Sequence, residues 1–160
     1  MNRHVVILAV FTAVVWLWQA CTGVPSNSTG AMPGETLVTP GLFNKITGIE
    51  WQLTKMTLDN QSIDLVENSK TTLTCDNAGR VSGIATINRY AGNLKLQPDG
   101  EIVWSKALIM TRMAGPPALM QQEANFTQAL MKTSRIYLNG SKLILCSRDR
   151  ATVLEFEPAK

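Results

Sequence analysis

The sequence predicts a mostly β (α+β) domain with seven or eight short strands and one amphipathic helix. Short runs alternate apolar and polar residues, turn signals separate them at regular spacing, and one longer segment lacks glycine. Alternation is typical of half-buried strands, and many evenly spaced strands are typical of a sandwich or barrel. The predicted strands are one that begins at Trp51, then 71–75, 80–85, 93–97, 101–104, 136–138, 142–147 and 151–157.

Turn sequences connect three pairs of these strands. Asn139-Gly140 is the clearest two-residue hairpin signal, because both residues tolerate the positive φ angles of such turns. Pro98-Asp99-Gly100 marks a second tight turn. Gly79 ends a third turn at a place suited to positive φ. These signals predict antiparallel pairing between neighbouring strands.

The segment 116–132 is predicted to be the helix. It begins with two prolines, which suit the first turn of a helix, and it contains no glycine. At 100° per residue, Leu119, Phe126 and Leu130 fall on one buried stripe. Glu123 falls in the middle of that stripe.

A carboxylate at Glu123 needs partners, because burying it without them costs several kcal/mol. Arg89, Arg112 or backbone amides are the candidate partners. We interpret Glu123 as a buried polar pin that fixes the helix against a loop. A perturbed acid at a functional site is the alternative, but no second catalytic group accompanies it.

The N-terminus predicts export. Arg3 precedes an apolar run, 5–18, that is shorter than the about 20 residues needed to span a bilayer. Residues 1–20 therefore match a secretory signal peptide. Ala20-Cys21 resembles the lipobox of bacterial lipoproteins, which implies lipidation at Cys21 and membrane attachment. Ordinary cleavage that leaves Cys21 free, and an uncleaved anchor, are the alternatives.

Residues 21–45 are predicted to be the lipidation site and a flexible tether, followed by one domain at 46–160. The part 22–40 is rich in proline, glycine and hydroxyl side chains and carries a single charge, Glu35. Such a composition buries too little apolar surface to offset ordering. Thr22 is not aspartate, which favours the outer membrane. We therefore expect an outer-membrane lipoprotein that faces the periplasm.

Composition excludes several functions. The formal net charge is +3 without a basic stripe, so no nucleic-acid partner is predicted. The single histidine, His4, lies in the signal peptide. Serine–histidine and cysteine–histidine nucleophiles and typical catalytic zinc sites need an imidazole. We expect no enzymatic activity, no cofactor, no metal and a monomeric domain.

Cys75 and Cys146 have two interpretations. In an oxidising envelope they could form a disulfide. Alternatively, they are two buried thiols that act as small hydrophobes. Alternation places Cys75 on a face with Leu73 and Cys146 on a face with Ile144, which leaves both interpretations open.

Two motifs carry a family resemblance. The first runs Gly83-Ile84-Ala85-Thr86-Ile87-Asn88-Arg89-Tyr90-Ala91-Gly92, and the second runs Thr111-Arg112-Met113-Ala114-Gly115-Pro116. They resemble Gly-x-Ala-Gly-Cys-Asn-Arg-Tyr-x-Gly and Thr-Arg-Met-Ala-Cys-Pro of the META domain (HslJ-like) family of bacterial envelope proteins. The helix positions Met120, Glu123, Phe126 and Leu130, and the opening Trp51 and Leu53, are also similar. The resemblance covers residues 46–157.

This resemblance implies a compact antiparallel barrel-like sheet with one helix. The two motif cysteines are replaced by Ile87 and Gly115, so any bridge between those loops is absent. The family resembles proteins linked to heat response and drug tolerance, with no established catalysis. Membership supports a fold more strongly than a mechanism.

The candidate interaction loop is Asn88-Arg89-Tyr90, with Arg112 and Met113 nearby. Tyrosine and arginine are frequent binding hot spots. A structured corner is the alternative, because asparagine readily bonds its own chain.

Three functions follow as hypotheses. The first is a non-catalytic, lipid-anchored domain that binds an envelope protein or supports stress tolerance. The second is a small apolar-ligand or lipid carrier, since barrels can enclose a cavity. The seven methionines permit a carrier, but a filled core explains them more simply. The third is an enzyme that uses Glu123 with Arg112.

Overall fold

The computed structural model describes residues 31–105 and 107–160, so the predicted signal peptide and Cys21 lie outside the described residues. The strands are β1 Thr36–Leu37, β2 Trp51–Leu58, β3 Gln61–Ile63, β4 Thr72–Cys75, β5 Arg80–Ile84, β6 Arg89–Leu96, β7 Ile102–Trp104, β8 Ile109–Met110, β9 Arg135–Asn139, β10 Lys142–Cys146 and β11 Val153–Pro158. A 3₁₀ helix covers Pro40–Lys45, and the α-helix α1 covers Pro117–Lys132.

All described strands belong to one antiparallel sheet. Its order is β1-β9-β10-β11-β2-β4-β5-β6-β7, with β3 added to β2 and β8 added to β6. The prediction of a mostly β domain with one helix is confirmed. The sheet is not a closed barrel, however. An isolated Glu101–Arg135 bridge and a hydrogen bond from Ile102 N to Ser134 O (2.8 Å) connect β7 to the chain entering β9.

The predicted tether is wrong for its last part. Thr36–Leu37 pairs with β9, and Val38, which follows, is fully buried. The chain then forms the 3₁₀ helix Pro40–Lys45 instead of running on as a coil. A short apolar run, Leu37 and Val38, is enough to order this segment, because the sheet supplies the surface against which it packs.

The main core lies between α1 and one face of the sheet. Phe126, Ala129 and Leu130 of α1 are fully buried. They pack in the same cluster as Met56 of β2 and Phe156 of β11. The helix is held in place chiefly by this apolar stripe, since burying one such large side chain contributes roughly 1.5–3 kcal/mol.

A smaller cluster covers the opposite face of the sheet. It contains Tyr137, Ile144 and Cys146, with Leu37 of β1 and Val153 packed against it. The alternation of β10 explains the division, because Leu143 and Leu145 point into the main core. Two hydrophobic layers therefore sandwich this half of the sheet.

An ion pair fastens β1 over this smaller cluster. Arg150 Nη2 donates to Glu35 Oε1 (2.8 Å), and Nη1 donates to Oε2 (2.9 Å). The Glu35 side chain is 5% exposed and that of Arg150 is 17% exposed. The guanidinium also lies 5.2 Å from the centroid of the Tyr137 ring. We call this arrangement the Glu35 clasp.

The structure contradicts the candidate disulfide. Cys75 lies in the main core and Cys146 in the smaller cluster, and both are free and buried. Burial raises the pKa of Cys75 to about 12, with a smaller effect from Asp76, and burial also raises the pKa of Cys146. The two side chains point to opposite faces of one sheet, which is why no bridge forms.

Breaking the Glu35 clasp is expected to expose Cys146. In Glu35→Ala, β1 loses its fastening, and alkylation of Cys146 should become about tenfold faster, equivalent to about 1.4 kcal/mol of easier local opening. Peptide mapping by mass spectrometry measures each thiol separately. Cys75 is the internal control and should keep its rate. Equal acceleration at both thiols would mean global destabilisation and would contradict a local clasp.

Glu157→Ala is the matched control variant. Glu157 forms an exposed ion pair with Lys142, and both side chains are about half exposed. Exposed pairs contribute roughly 0–1 kcal/mol. This variant should therefore leave the alkylation rates of both cysteines unchanged.

Candidate functional site

The corner between β5 and β6 contains a strained residue. Thr86 has φ = 94°, which a β-branched residue rarely adopts. Its Oγ1 lies 2.8 Å from Thr71 Oγ1 and accepts a hydrogen bond from Gln122 Nε2 (3.1 Å). The family motif has glycine at this position. These partly buried hydroxyl contacts offset part of a strain that costs of order 1–3 kcal/mol.

Glu123 is a buried polar pin in the structure. Its Oε2 accepts hydrogen bonds from the backbone N–H groups of Ile87 (3.1 Å) and Asn88 (2.7 Å). Its Oε1 accepts one from Asn88 Nδ2 (2.8 Å). The residue is 7% exposed. Its partners are therefore backbone amides and one side-chain amide, and neither predicted arginine bonds to it.

Asn88 extends this network to the segment after β8. Its Oδ1 accepts hydrogen bonds from Thr111 Oγ1 (2.8 Å) and Met113 N (2.7 Å), while its Nδ2 donates to Met113 O (3.2 Å). Both ends of the amide are thus used, and Asn88 is 2% exposed. Asn88 therefore joins the corner, the segment 111–113 and, through Glu123, the helix.

Tyr90 is a core residue. It is 3% exposed, its hydroxyl donates to Thr72 O (2.9 Å), and its ring meets Phe126 edge-on at 5.6 Å between centroids. Burial raises the pKa of Tyr90 well above its usual range, with Cys75 adding a smaller effect. The hypothesis that Tyr90 contacts a partner does not fit this position.

Arg89 and Arg112 lie in different places. Arg89 lines a hollow of about 400 Å³ with Glu50 and Lys70, whereas Arg112 lines a separate groove next to Met113. Within residues 31–105 and 107–160, neither arginine forms an ion pair. From the predicted site, the structure brings together Asn88, Arg112, Met113 and Glu123, whereas the Arg89 side chain lines the other hollow.

The groove beside Arg112 is lined with methionines. It runs between the chain at 108–113 and α1, and its walls include Leu108, Met110, Met113, Met120 and Met131. Two hollows of about 520 and 530 Å³ share Leu108 and Met110, so they adjoin, and together they make up the groove. We call it the methionine groove.

The sequence interpretation that the methionines fill the core is wrong for this region. Met56 is the fully buried methionine of the described chain, whereas Met113 is 55%, Met120 is 37% and Met131 is 36% exposed. Scattered apolar side chains are normal on a surface, but a cluster of them in a concave site marks an interaction surface. The eleven-residue spacing places Met120 and Met131 on the same side of α1, but it does not show whether that side is exposed.

No group of histidine, cysteine, aspartate or glutamate side chains between residues 31 and 160, apart from the undescribed position 106, is placed to hold a metal ion. Over the same residues, no helix has both the length and the apolar character needed to cross a membrane.

A family model for the META domain matches residues 44–160. The chain belongs to the META domain family. The match includes both motifs, the helix α1 and the Asn88–Glu123 network. No curated protein matches this chain at a significant level.

Solved structures show the same fold. The NMR structure of a protein from Burkholderia xenovorans superposes with a TM-score of 0.60 at 20% identity, covering 84% of this chain and 97% of that one. A second NMR structure gives 0.53 at 22% identity, covering 76% and 95%. The crystal structure of a DUF4847 family protein from Bacteroides vulgatus gives 0.52 at 10% identity, covering 73% and 96%. At these identities the likeness concerns the fold alone.

In this META domain protein, one large side chain, that of Ile87, occupies the space that belongs to the two motif cysteines. A Cβ atom built on Gly115 would lie 2.3 Å from Ile87 Cδ1 and 3.2 Å from Ile87 Cγ1. The two positions are therefore neighbours, as the family motifs imply. The isoleucine occupies the space of two smaller side chains, and Gly115 leaves room for it.

Restoring both cysteines is expected to create a disulfide. In the double variant Ile87→Cys/Gly115→Cys, the two introduced thiols meet where Ile87 now touches Gly115. Closing this loop should make the oxidised form about 2–3 kcal/mol more stable than the reduced form of the same variant. Non-reducing peptide mapping and urea unfolding measure the link and its effect. Absence of a link under mild oxidation would show that the two backbones are too far apart.

Proposed function

We propose that this META domain protein is a non-catalytic, lipid-anchored protein of the cell envelope that binds another envelope protein through the methionine groove. The groove carries this proposal. It joins three exposed methionines with Arg112, and it is framed by the motif residues Asn88 and Glu123. Flexible methionine side chains that are held in position by rigid neighbouring residues suit a protein-binding surface.

The reactive side chains of the domain support a non-catalytic role. Glu123 accepts three hydrogen bonds from the corner that it holds. The thiols of Cys75 and Cys146 and the phenol of Tyr90 are buried, and burial raises the pKa of each. A nucleophile needs the opposite arrangement, with access and a lowered pKa. We therefore assign Glu123 and Asn88 a structural role, in which they hold the wall of the groove in shape.

The N-terminal sequence supports the anchor. An apolar run follows Arg3, and Ala20-Cys21 resembles a lipobox, which would attach Cys21 to the outer membrane. Intact mass of the protein extracted from membranes with detergent tests this. A mass that starts at lipidated Cys21 is the expected result. A soluble product without lipid would remove the anchor from the proposal and leave the groove to be tested separately.

Site-specific photocrosslinking in intact cells tests binding. A benzoylphenylalanine at position 120 should crosslink to one envelope protein, identified by mass spectrometry and verified by reciprocal capture. The control position is Val103, which is 51% exposed on β7 and lies outside the groove. Equal products from both positions, or none from position 120, would contradict the proposal. A crosslink only to a lipid or a small ligand would favour a carrier instead.

A further inference from the structure

The methionine groove has the length of a short helix. Met120, Glu123, Thr127 and Met131 lie along one side of α1 and line the groove from end to end. At 1.5 Å per residue, Met120 and Met131 are about 16 Å apart along the axis, which equals about three helical turns. An occupant that uses the whole groove must therefore present an apolar row of similar length.

The groove does not suit an added strand. Its other wall follows β8, which supplies only two residues of strand edge, and the segment after β8 is fixed at Thr111 and Met113. Thr111 N donates to Arg89 O, and both the N–H and the C=O of Met113 bond the side chain of Asn88. Strand addition requires free N–H and C=O groups along an edge. The wall instead offers Met110 and Met113 side chains, which suit the apolar face of a helix.

The rim of the groove carries one cation, Arg112, that forms no ion pair within the described residues. Arg112 lies at the Met120 end and is exposed. Lys132, at the Met131 end, is already paired with the Asp59 carboxylate at 2.6 Å. Glu123 is the acidic residue in the groove lining, and its carboxylate points into the corner at Asn88. An acidic side chain of an occupant therefore finds a free cation in Arg112.

We propose that the methionine groove binds an amphipathic helix of about three turns, with large apolar side chains on one face and an acidic residue that pairs with Arg112. Helices in apolar grooves are read through anchors spaced i, i+3 or i+4, and i+7. Methionine side chains adapt to such anchors without a fixed shape. This inference rests on the proposed function and specifies the chemistry of its partner.

A random 16-residue peptide library displayed on phage tests the inference with full-length protein in detergent. Selected peptides should share apolar residues at helical spacing and an acidic residue at one end. Selection should fail on Met120→Lys/Met131→Lys and persist on Val103→Lys. Both groove methionines are partly exposed on α1, so lysine there leaves the core intact. Circular dichroism confirms the fold of each variant.

A charge exchange tests the role of Arg112. Arg112→Glu should weaken the selected acidic peptide at least tenfold, and replacing the acidic residue of the peptide by lysine should restore binding to that variant. Arg89→Glu is the control, because Arg89 lies in a separate hollow. An unchanged Kd with Arg112→Glu would overturn the pairing.

The remaining outcomes separate this inference from the proposed function. Groove-dependent peptides that alternate with a period of two, or that lack an acidic residue, would overturn the inference while the groove still binds protein. The inference would also be overturned if selection gives no groove-dependent peptide. The same holds if palmitate occupies the groove at a lower concentration than the selected peptides do. Photocrosslinking at position 120 then decides whether any protein occupies the groove in cells.

Discussion

Glu123→Ala is expected to destabilise the domain by about 3–5 kcal/mol. The substitution removes a buried carboxylate that accepts bonds from Ile87 N, Asn88 N and Asn88 Nδ2. Each buried donor left without a partner costs about 1–3 kcal/mol. Asn88 would then also lose its orientation towards Met113. We expect the corner and the segment 111–113 to loosen together.

Urea unfolding of full-length protein measures this effect. Gln121→Ala is the matched control, because Gln121 lies on the exposed side of the same helix and bonds Asn125. It should change the free energy of unfolding by less than about 0.5 kcal/mol. Glu123→Gln keeps one acceptor oxygen and should fall between the two. Equal stability of Glu123→Ala and Gln121→Ala would show that the pin does not stabilise the fold.

Gly83→Ala is expected to have an effect of similar size, about 3–5 kcal/mol, through a steric clash. An added Cβ would lie 2.0 Å from Thr72 O and 3.0 Å from Tyr90 Cε1. The carbonyl belongs to the backbone of β4, so it moves only if the strands separate. The same carbonyl accepts the Tyr90 hydroxyl bond, which would be lost as well. The backbone of β4 cannot move away from such an overpacked contact without a large loss of stability.

Gly41→Ala is the control for this prediction, because no heavy atom lies within 4 Å of its added Cβ. Thermal unfolding followed by circular dichroism should show a large loss for Gly83→Ala and almost none for Gly41→Ala. A melting temperature of Gly83→Ala within a few degrees of the unsubstituted protein would mean that β4 and β5 are less closely packed than the structure shows. The motif residues Gly83 and Tyr90 would then need another role.

Much of the fold is readable from the sequence because alternation reports the two faces of a strand directly. The eight predicted strands are present, and α1 begins one residue after the predicted start. The strands that sequence reasoning missed, β1, β3 and β8, have two or three residues each. A pattern with a period of two cannot be recognised over so few positions. Their pairing is decided by the neighbouring strands.

The candidate site was predictable only in part. Helical geometry places Glu123 on the buried stripe, but its partners lie 35 and 36 residues earlier in the chain. Sequence spacing does not identify contacts at that separation, so the prediction left the two arginines and backbone amides as alternatives, and the structure shows the amides. The methionine groove was missed for a different reason. Apolar composition counts Met113, Met120 and Met131 in the same way whether they are buried or exposed, and only the packing of 108–113 beside α1 distinguishes them.

The opposite orientations of Cys75 and Cys146 have a consequence for where this domain can fold. Small envelope domains commonly depend on oxidative folding, in which an oxidase must close the correct bridge. Here a whole sheet stands between the two sulfur atoms, and each is enclosed in its own apolar layer. The native state of the domain therefore needs no oxidising equivalents. It should form as readily in the reducing cytosol of an expression host as in an oxidising compartment.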